Sequence, residues 1–432
     1  MKKTKLALAV STAIFASSAM ATNGTNMTGV GAQSSAMGGT GVAAYYGAEN
    51  VIVNPGLIGK SQGTEFSFGG TLFKPSVSNN GLLDADGQSQ VDSDADTFVI
   101  PSVSLTSRIN DNLTFGIGMY GTSGMGVDYS KNDVNFSSNV MNQFEAKSNL
   151  QIMRFVPTLA YNEANFGIGI SPVIQYGALD INYKTVLRDN SGNPVMVNGA
   201  PYAQTIGNGV SSDLGFGFSL GGYFDINKDL TVAASYTSAI NMKYDEQLSV
   251  ASTPFVNPMS DLTAAFGNEL EQPAEVKAGI AYNMGNITLT GDFKQIRWSE
   301  AKGYKDFGWE DQNVISIGAK YKGNGYWVGA GYNKADNPIK AQNGATSYAG
   351  AVTNMFNNIF FPAVTEQHWS IGGGYKLTKN VAIDAAIVVA PQVTTTVDTS
   401  AVSSAFAGSS VSSSNTTKHS QQAYTVSVRY NF

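Results

Sequence analysis

The sequence offers very few side chains of the kinds that carry out catalysis or bind metals. It contains no Cys and only two His, His368 and His419, among 432 residues. The absence of Cys excludes disulfides, thiolate metal sites and cysteine nucleophiles, and two His argue against a histidine-built metal centre. We interpret both His as solvated or interfacial residues, one at a strand edge and one in a Ser-rich loop. Since no serine–histidine pair can be placed, we expect no enzyme activity, no cofactor and no metal.

Two motifs match ligand-binding signatures without their structural context. Residues 116–121 fit the GxGxxG pattern of dinucleotide-binding loops, yet no helix or βαβ unit is predicted after them. An acidic cluster could bind Ca²⁺ through carboxylates, and its members are Asp84, Asp86, Asp92, Asp94 and Asp96. Because EF-hand spacing is absent, a solvated acidic loop is the favoured interpretation.

The first 21 residues are typical of a secretory signal peptide. Lys2, Lys3 and Lys5 precede an apolar run, and an A-x-A cleavage pattern ends at Ala21. The mature chain is therefore predicted to begin at Thr22 and to function outside the cytoplasm. A net charge of −6 argues against a nucleic-acid partner, because phosphate binding requires a basic surface.

Alternating polarity recurs along the rest of the chain. In the last segment, Tyr424, Val426 and Val428 alternate with Thr425 and Ser427, as in a strand with one apolar and one polar face. A soluble sandwich would carry many charges on its outer face, but only 13% of these residues are charged. No later stretch reaches the roughly 18 apolar residues that a membrane helix needs. This pattern favours a membrane barrel with an apolar outer wall and a polar lumen.

Fourteen such segments can be counted between residues 64 and 432. Short turns rich in Asn, Asp, Gly and Lys alternate with longer connectors, an arrangement typical of outer-membrane barrels. We therefore predict an all-β fold, a fourteen-stranded antiparallel transmembrane β-barrel in the outer membrane of a Gram-negative bacterium. We expect the barrel over residues 64–432, membrane lipid around it, and a monomer.

Residues 22–63 precede the first predicted strand and have two interpretations. A disordered periplasmic tail is one, but such tails are usually poor in apolar residues. This segment contains Val42, Tyr45, Tyr46, Val51 and Ile52 among others. We therefore predict an N-terminal hatch that folds into the lumen as a plug.

The hatch segment resembles that of a known family. It contains a run of small residues at 29–41 and the sequence GAENVIVNPG at 47–56. Further blocks agree in order and spacing: Gln272–Val276, Trp298–Ser299, Trp309–Asp311, Gly329–Tyr332, Asn337–Ile339, Phe361–Pro362 and His368–Gly372. Together they resemble the FadL family of outer-membrane transporters for long-chain fatty acids and hydrocarbons. Gly56 departs from the family pattern, in which Ala is commoner.

The resemblance implies uptake of a long-chain fatty acid or another hydrophobic small molecule. Outer loops would capture the ligand, an apolar internal pocket would hold it, and a gap in the wall at a kinked third strand would release it laterally. The implied hatch and gate residues are Asn23, Gly31, Gly38, Gly39, Asn54 and Pro55. The implied lateral-opening strand runs from Leu113 to Gly121 and contains Gly116, Gly118 and Gly121.

Two further groups of residues are candidates for ligand binding. A short helix with Ser260 as its N-cap is predicted from Leu262, Phe266 and Leu270, which recur at i, i+4 and i+8. These three, with Met125, Phe136, Val140, Met141 and Phe144 from the second outer loop, form the predicted capture surface, although they could instead pack on the barrel rim. A fatty-acid carboxylate would need a cation, since its unpaired burial is costly. The headgroup candidates are Lys184, Arg188, Lys302 and Lys305, while Arg154 and Lys294 point inward lower down.

Three alternatives to fatty-acid uptake stay open at this stage. A monoaromatic hydrocarbon needs no cation, and relatives that carry such compounds exist in the family. A general aqueous porin is disfavoured by a hatch that obstructs the lumen. A surface adhesin or receptor could use the same barrel as a scaffold, because fold alone does not determine function.

Overall fold

Fourteen strands form one closed antiparallel sheet within the described chain. Each strand pairs with the next along the sequence, and the last pairs with the first. The strands are β1 Thr64–Asn79, β2 Phe98–Arg108, β3 Leu113–Asp128, β4 Lys147–Asn162, β5 Phe166–Val186, β6 Ser211–Asp225, β7 Leu230–Thr237, β8 Glu275–Met284, β9 Ile287–Ile296, β10 Gln312–Lys322, β11 Tyr326–Ala335, β12 Gln367–Lys376, β13 Val381–Asp398 and β14 Ser414–Asn431. The predicted fourteen-stranded barrel is confirmed.

This computed structural model describes residues 22–81, 90–130, 145–186 and 195–432. The predicted signal peptide lies outside them, as do Asp84, Asp86, Phe136, Val140, Met141, Phe144 and Arg188. Within these ranges, no helix is both long enough and apolar enough to cross a membrane.

Several strands extend further towards the long connectors than the sequence pattern predicts. β3 continues to Asp128, β13 continues to Asp398, and β14 begins at Ser414 instead of Ala423. The added residues are mostly polar on both faces, since strands above the hydrocarbon layer no longer need an apolar outer face. Their alternation is therefore lost although their backbone pairing continues.

The barrel wall is apolar outside and polar inside, as the alternation predicts. In β14, Val426 is 51% exposed whereas its neighbours Thr425 and Ser427 are buried. Exposed aromatic side chains near the short turns form a ring at the membrane interface, and they are Tyr161, Phe224, Tyr282, Tyr321, Tyr326, Tyr375 and Tyr430.

The N-terminal segment lies inside the barrel, which confirms the predicted hatch in the lumen. It comprises short strands Thr22–Asn23 and Asn26–Met27, helices α1 Ala32–Ala36 and α2 Asn50–Val53, and the 3₁₀ turn Pro55–Lys60. Its backbone is bonded to the wall on different sides: the Ala32 amide donates to Ser427 Oγ (3.2 Å) and the Gly38 amide donates to Ser370 Oγ (2.9 Å).

The long connectors carry the remaining short elements. Their helices are α3 Leu248–Ser252, α4 Tyr348–Phe360 and α5 Ser400–Ala407, with 3₁₀ turns Thr253–Phe255 and Tyr304–Phe307. Their short strands are Val91–Asp92, Met196–Val197, Ala200–Pro201 and Ala203–Ile206.

The predicted helix with Ser260 as N-cap is wrong, because residues 260–270 form irregular structure. Ser260 Oγ accepts the Leu262 amide two residues later, so it stabilises a turn instead of a helix. The Phe266 amide donates to Ser252 Oγ (2.8 Å), which directs the backbone towards α3. Tertiary contacts here outweigh the helical spacing of the apolar residues.

Candidate ligand-binding and gating site

The end of the hatch is fastened to the wall by Asn54 and Pro55. Asn54 Oδ1 accepts the Gly56 amide (3.0 Å), and its Nδ2 donates to the carbonyls of Val42 (2.7 Å) and Gly222 (3.2 Å). Pro55 begins the 3₁₀ turn, where a missing N–H costs nothing. The wall approaches so closely that a Cβ on Gly221 would lie 2.1 Å from Asn54 Oδ1.

Two of the predicted hatch glycines occupy positions that exclude other residues. Gly31 has φ 78°, and an added Cβ would lie 1.9 Å from the Glu49 carboxylate. Gly39 has φ 83°, and its Cβ would lie 2.1 Å from the Thr28 carbonyl oxygen. Both combine left-handed backbone with close approach, conditions that only glycine meets without strain.

Buried carboxylates also hold the hatch. Asp292 of β9 accepts the amides of Gly41 (2.8 Å) and Val42 (2.9 Å). Glu65 of β1 accepts the Ala48 amide (2.6 Å). Charged acceptors make stronger hydrogen bonds than neutral ones, so these contacts fix the hatch from two sides of the barrel.

The N-terminal hairpin lies at the centre of the lumen. Thr25 Oγ1 and Ser123 Oγ are 2.7 Å apart, and Asn26 Nδ2 donates to Glu275 Oε1 (2.9 Å). The Asn23 side chain is fully buried, and its amide atoms make no hydrogen bond to any residue that the structure describes. Its role in gating remains a prediction.

Beside this hairpin, five wall residues form the lumen charge cluster, defined as Arg154, Glu275, Lys277, Asp292 and Lys294. Lys277 Nζ lies 2.9 Å from Glu275 Oε2, and Arg154 Nε donates to Gln175 Oε1 (2.9 Å). Among the described residues, Lys294 has no carboxylate within 4.0 Å of its Nζ. Three cations therefore face two carboxylates, so the cluster has a formal net charge of +1.

The lumen charge cluster borders a cavity between the hatch and the wall. The cavity volume is about 70 Å³, and the apolar residues lining it on the hatch side are Met27, Val30, Val42, Ile52 and Val53. Pockets for small molecules usually measure about 300–1,000 Å³. The described state is therefore closed, and a whole ligand requires movement of the hatch or of the long connectors.

The third strand leaves its neighbour near the middle of the wall. Pairing of β2 with β3 ends at Ser102 and Tyr120, and the register of β3 against β4 shifts between Gly121 and Ser123. Beyond this bulge, residues 121–127 are buried on both faces, and Ser123 pairs with Asn26 of the hatch. The strand therefore bends into the lumen.

The glycines of β3 make room for other side chains at this bend. An added Cβ on Gly116 would lie 2.8 Å from both Val51 Cγ2 and Ile58 Cδ1 of the hatch. An added Cβ on Gly118 would lie 2.3 Å from the Tyr120 ring. Gly121 stands at the register shift itself. Lateral release at this strand remains a prediction.

The outer mouth of the barrel is closed by packed aromatic rings, which we call the mouth cluster. Its members are Tyr183, Phe255, Phe266, Trp298, Tyr304, Phe307, Trp309, Phe356 and Phe360. Phe356 of α4 lies 5.4 Å from Phe266 and 5.6 Å from Phe255 between ring centroids. Ser347 begins α4 by accepting the Gly350 amide (2.8 Å), and this N-cap before spaced apolar residues is a signal that could have revealed the helix.

Replacement of Phe356 by Ala is expected to loosen the mouth cluster. Removal of a fully buried Phe costs about 3–5 kcal/mol, and Phe356 is 0% exposed. Proteolysis of the outer connectors in the folded protein should become faster. Phe216→Ala, on the lipid-facing wall and 70% exposed, is the control. Equal proteolysis of both variants would contradict a stabilising role for Phe356.

The described capture residues are packed among the long connectors at the mouth of the barrel and do not form an open surface. Met125, Leu262 and Leu270 are buried, and Phe266 packs against Phe307 with ring centroids 4.7 Å apart. In the closed state these residues therefore pack on the barrel rim. Whether they also contact ligand remains a prediction.

The described headgroup candidates lie at the rim, away from the lumen charge cluster. Lys184 forms an ion pair with Glu145, Lys302 pairs with Glu269 at 3.0 Å, and Lys305 is exposed. Their role in headgroup binding also stays a prediction.

The two His are buried, so their interpretation as solvated or interfacial residues is wrong. His419 Nδ1 lies 2.7 Å from the Pro362 carbonyl oxygen, and His368 Nδ1 lies 3.2 Å from Asn333 Oδ1. His419 belongs to the outer extension of β14, whose inner face meets the connector before β12 instead of water. The polar sequence of that extension concealed its strand structure.

A closed barrel with an apolar outer wall, a plugged lumen and a buried charge cluster defines a plugged barrel of the outer membrane. Residues 7–432 match the family described as outer membrane protein transport protein (OMPP1/FadL/TodX). The chain belongs to this family, whose members are transporters of hydrophobic compounds, and its location is the outer membrane.

Individual relatives support the same placement. The chain is 24% identical over 388 residues to a long-chain fatty acid transport protein of Escherichia coli O6:H1, covering 78% of this chain and 82% of the relative. It is similar in fold to a Pseudomonas aeruginosa FadL homologue (TM-score 0.70, 14% identity, 95% and 100% covered). The fold also resembles the Pseudomonas putida toluene transporter TodX (TM-score 0.66, 19% identity, 95% and 100% covered).

Proposed function

We propose that this protein takes up long-chain fatty acids, or similar amphipathic compounds, across the outer membrane. The observation that carries the proposal is the cavity between the hatch and the lumen charge cluster, which has an apolar hatch side and a charged wall side. An amphipathic ligand matches both sides, since each buried CH₂ contributes about 0.8 kcal/mol and a cation offsets the cost of burying a carboxylate. The family relative in Escherichia coli, named for long-chain fatty acids, supports the same ligand class.

Uptake would proceed in three stages. The ligand first displaces part of the mouth cluster, then reaches the lumen charge cluster, and finally leaves through the wall. The break between β2 and β3 is a candidate exit, because the ladder ends at Tyr120 while the strand bends inward. Lateral exit delivers an apolar chain to lipid without passage through water, where its exposure is unfavourable.

A test is oleate binding to purified protein with lumen cations replaced. Arg154→Met and Lys294→Met are expected to weaken oleate binding about tenfold to a hundredfold, because a hydrogen bond to a charged group contributes about 1.5–3 kcal/mol. Toluene binding should be unchanged by either replacement.

Lys302→Met is the control within the same protein. Its ion pair with Glu269 is half exposed, and such surface pairs contribute little. Lys184→Met, Arg188→Met and Lys305→Met complete the series. If both lumen variants bind oleate normally and a rim variant does not, the headgroup binds at the rim instead.

Monoaromatic hydrocarbons are the second candidate ligand class. The mouth cluster favours them, because stacked and edge-to-face rings accommodate a further ring readily. The fold similarity to toluene transporters is compatible with either ligand. Toluene binding without oleate binding would select this class.

A further inference from the structure

Two prolines interrupt the barrel wall between β4 and β5. Phe155 pairs with Ile174 and Leu159 pairs with Ile170, but the three positions between these pairs have no ladder pairing. In the same register Pro157 of β4 stands directly opposite Pro172 of β5. Each strand is paired continuously with its other neighbour at this height, so the interruption belongs to this one seam.

The prolines explain the interruption chemically. A proline has no backbone N–H, and the two donors missing from the ladder are those of Pro157 and Pro172. Four residue steps of about 3.4 Å separate the flanking pairs, so the seam lacks backbone hydrogen bonds over about 14 Å. Proline is ordinarily confined to edge strands or bulges, whereas these two are opposed in the middle of a closed barrel.

Only side chains hold the interrupted seam on its inner face. Thr158 and Ser171 are opposite one another, both buried, with hydroxyl oxygens 2.6 Å apart. The neighbouring inward residues Val156 and Val173 belong to the same apolar cluster as Val51 and Ile58 of the hatch. The hatch therefore packs against the inner face of the seam.

A groove open towards lipid lies beside the seam and is bordered by Leu159 and Ile170, a pair that flanks the interruption. Its volume is about 640 Å³, and mostly apolar residues of β3 to β8 line it, including Leu159, Ile170 and Leu220. The groove reaches Gly169 and Gly221, and on their inner side lies the Asn54–Pro55 end of the hatch. A Cβ on Gly169 would be 2.5 Å from the Pro55 carbonyl, so one layer of backbone separates hatch from groove.

We propose that the β4–β5 seam is a lateral portal, separate from the break at β3, through which the apolar chain of the transported ligand enters the membrane. The end of the hatch closes it from inside, so withdrawal of Pro55 and Ile58 leaves the Thr158–Ser171 contact as its inner fastening. The groove receives the emerging chain. This inference rests on the proposed function for the identity of the ligand.

The opening of the seam can be measured without any transport assay. Because the chain has no Cys, Thr158→Cys gives a single thiol for reaction with a pyrenyl maleimide dissolved in the surrounding membrane. We expect labelling that oleate or toluene accelerates. Thr425→Cys is the matched control, since Thr425 is buried in the lumen at an intact ladder. Equal labelling of the two thiols would overturn the portal.

Repair of the ladder provides the second variant. Pro157→Val with Pro172→Val restores two N–H donors, and two backbone hydrogen bonds should slow labelling at position 158 about tenfold or more. Leu159→Val with Ile170→Val, the next outward pair on the same strands, is the control without a new donor. Unchanged labelling in the repaired wall would show that the prolines do not govern opening.

A disulfide across the seam tests its role in uptake. Thr158→Cys with Ser171→Cys places two thiols on opposed residues, about 4.5 Å apart at their Cα atoms in such a pair and within disulfide range. The oxidised protein is expected to take up oleate more slowly than the reduced protein, and dithiothreitol should restore the rate. Thr71→Cys with Thr425→Cys, whose native hydroxyl oxygens are 2.8 Å apart across β1 and β14, should retain uptake in both states.

The outcomes separate the portal from the proposed function. If the unmodified protein takes up neither oleate nor toluene, the proposed function fails, while labelling at position 158 still decides whether the seam opens. If the unmodified protein takes up oleate and the oxidised 158–171 variant does so equally fast, the portal fails and the proposed function stands.

Discussion

Deletion of residues 23–53 is expected to leave a folded barrel that no longer retains its ligand. The wall closes through β1 and β14 without any hatch residue, so the deletion should still show heat-modifiable migration on electrophoresis. The hatch side of the cavity would be absent, however. Oleate affinity should fall about tenfold or more, because burial of one apolar side chain contributes about 1.5–3 kcal/mol.

The control for this deletion is Gln62→Ala. Gln62 is exposed in the link between hatch and β1, and its side chain bonds only the Lys60 carbonyl among the described residues. This variant should bind and take up oleate normally. A deletion protein that cannot fold would show that the hatch is part of the barrel core, and one that transports normally would contradict its role as a plug.

Glu49 is expected to make hatch docking dependent on pH. Its carboxylate is buried in the hatch and accepts the hydroxyls of Ser67 (3.0 Å) and Ser427 (2.9 Å). Burial raises the pKa of Glu49 from 4.5 to about 7, and the two serine hydrogen bonds oppose that shift only in part. The negative charge of Asp384 raises the pKa of Glu49 further, whereas the positive charge of Arg429 lowers it.

The sign of the effect follows from proton binding. Between pH 4.5 and 7 the docked hatch binds a proton that an undocked, solvated Glu49 would have released. Docking therefore becomes weaker as pH rises through this window, by up to about 3 kcal/mol, and changes little above it. Hydrogen exchange of hatch amides should accordingly be faster at pH 8 than at pH 5, after correction for intrinsic exchange.

Glu49→Gln is the informative variant for this prediction. The amide keeps the shape and an acceptor oxygen but has no charge, so the difference in hatch protection between the two pH values should be smaller than in the wild type. The carboxylates of Asp292 and Glu65, which also accept hatch amides, are unchanged in this variant. Glu163→Gln, in an exposed turn, should retain the wild-type dependence. A wild-type hatch whose protection does not change between pH 5 and 8 would exclude titration of Glu49 as a control of docking.

Several features follow from the sequence because they depend on local chemistry. Strands cross the wall with one face in lipid and one in the lumen, so residues such as Val426 and Ser427 must alternate in polarity. The positions of the short turns and the number of strands, fourteen, follow from the same alternation. Gly31 and Gly39 likewise belong to a hatch run whose small residues signal close packing before any contact is known.

Other features required the tertiary structure. The helical spacing of Leu262, Phe266 and Leu270 does not produce a helix, since the Phe266 amide donates to Ser252 Oγ and packing among the long connectors fixes the backbone. The sequence pattern predicts a loop at His419, because above the hydrocarbon layer a strand has no lipid to enforce alternation. Local sequence carries no information about which distant surface will cover a residue.

The lumen charge cluster and the β4–β5 seam also combine features that the sequence indicates with features that only the tertiary structure determines. The alternation in their strands predicts that Arg154 and Lys294 point inward. Their convergence around one cavity depends on how the barrel closes. Pro157 and Pro172 are ordinary strand residues in the sequence, and only the register of β4 against β5 brings them opposite each other. Register is set by the whole closed sheet, because each strand must satisfy two neighbours at once.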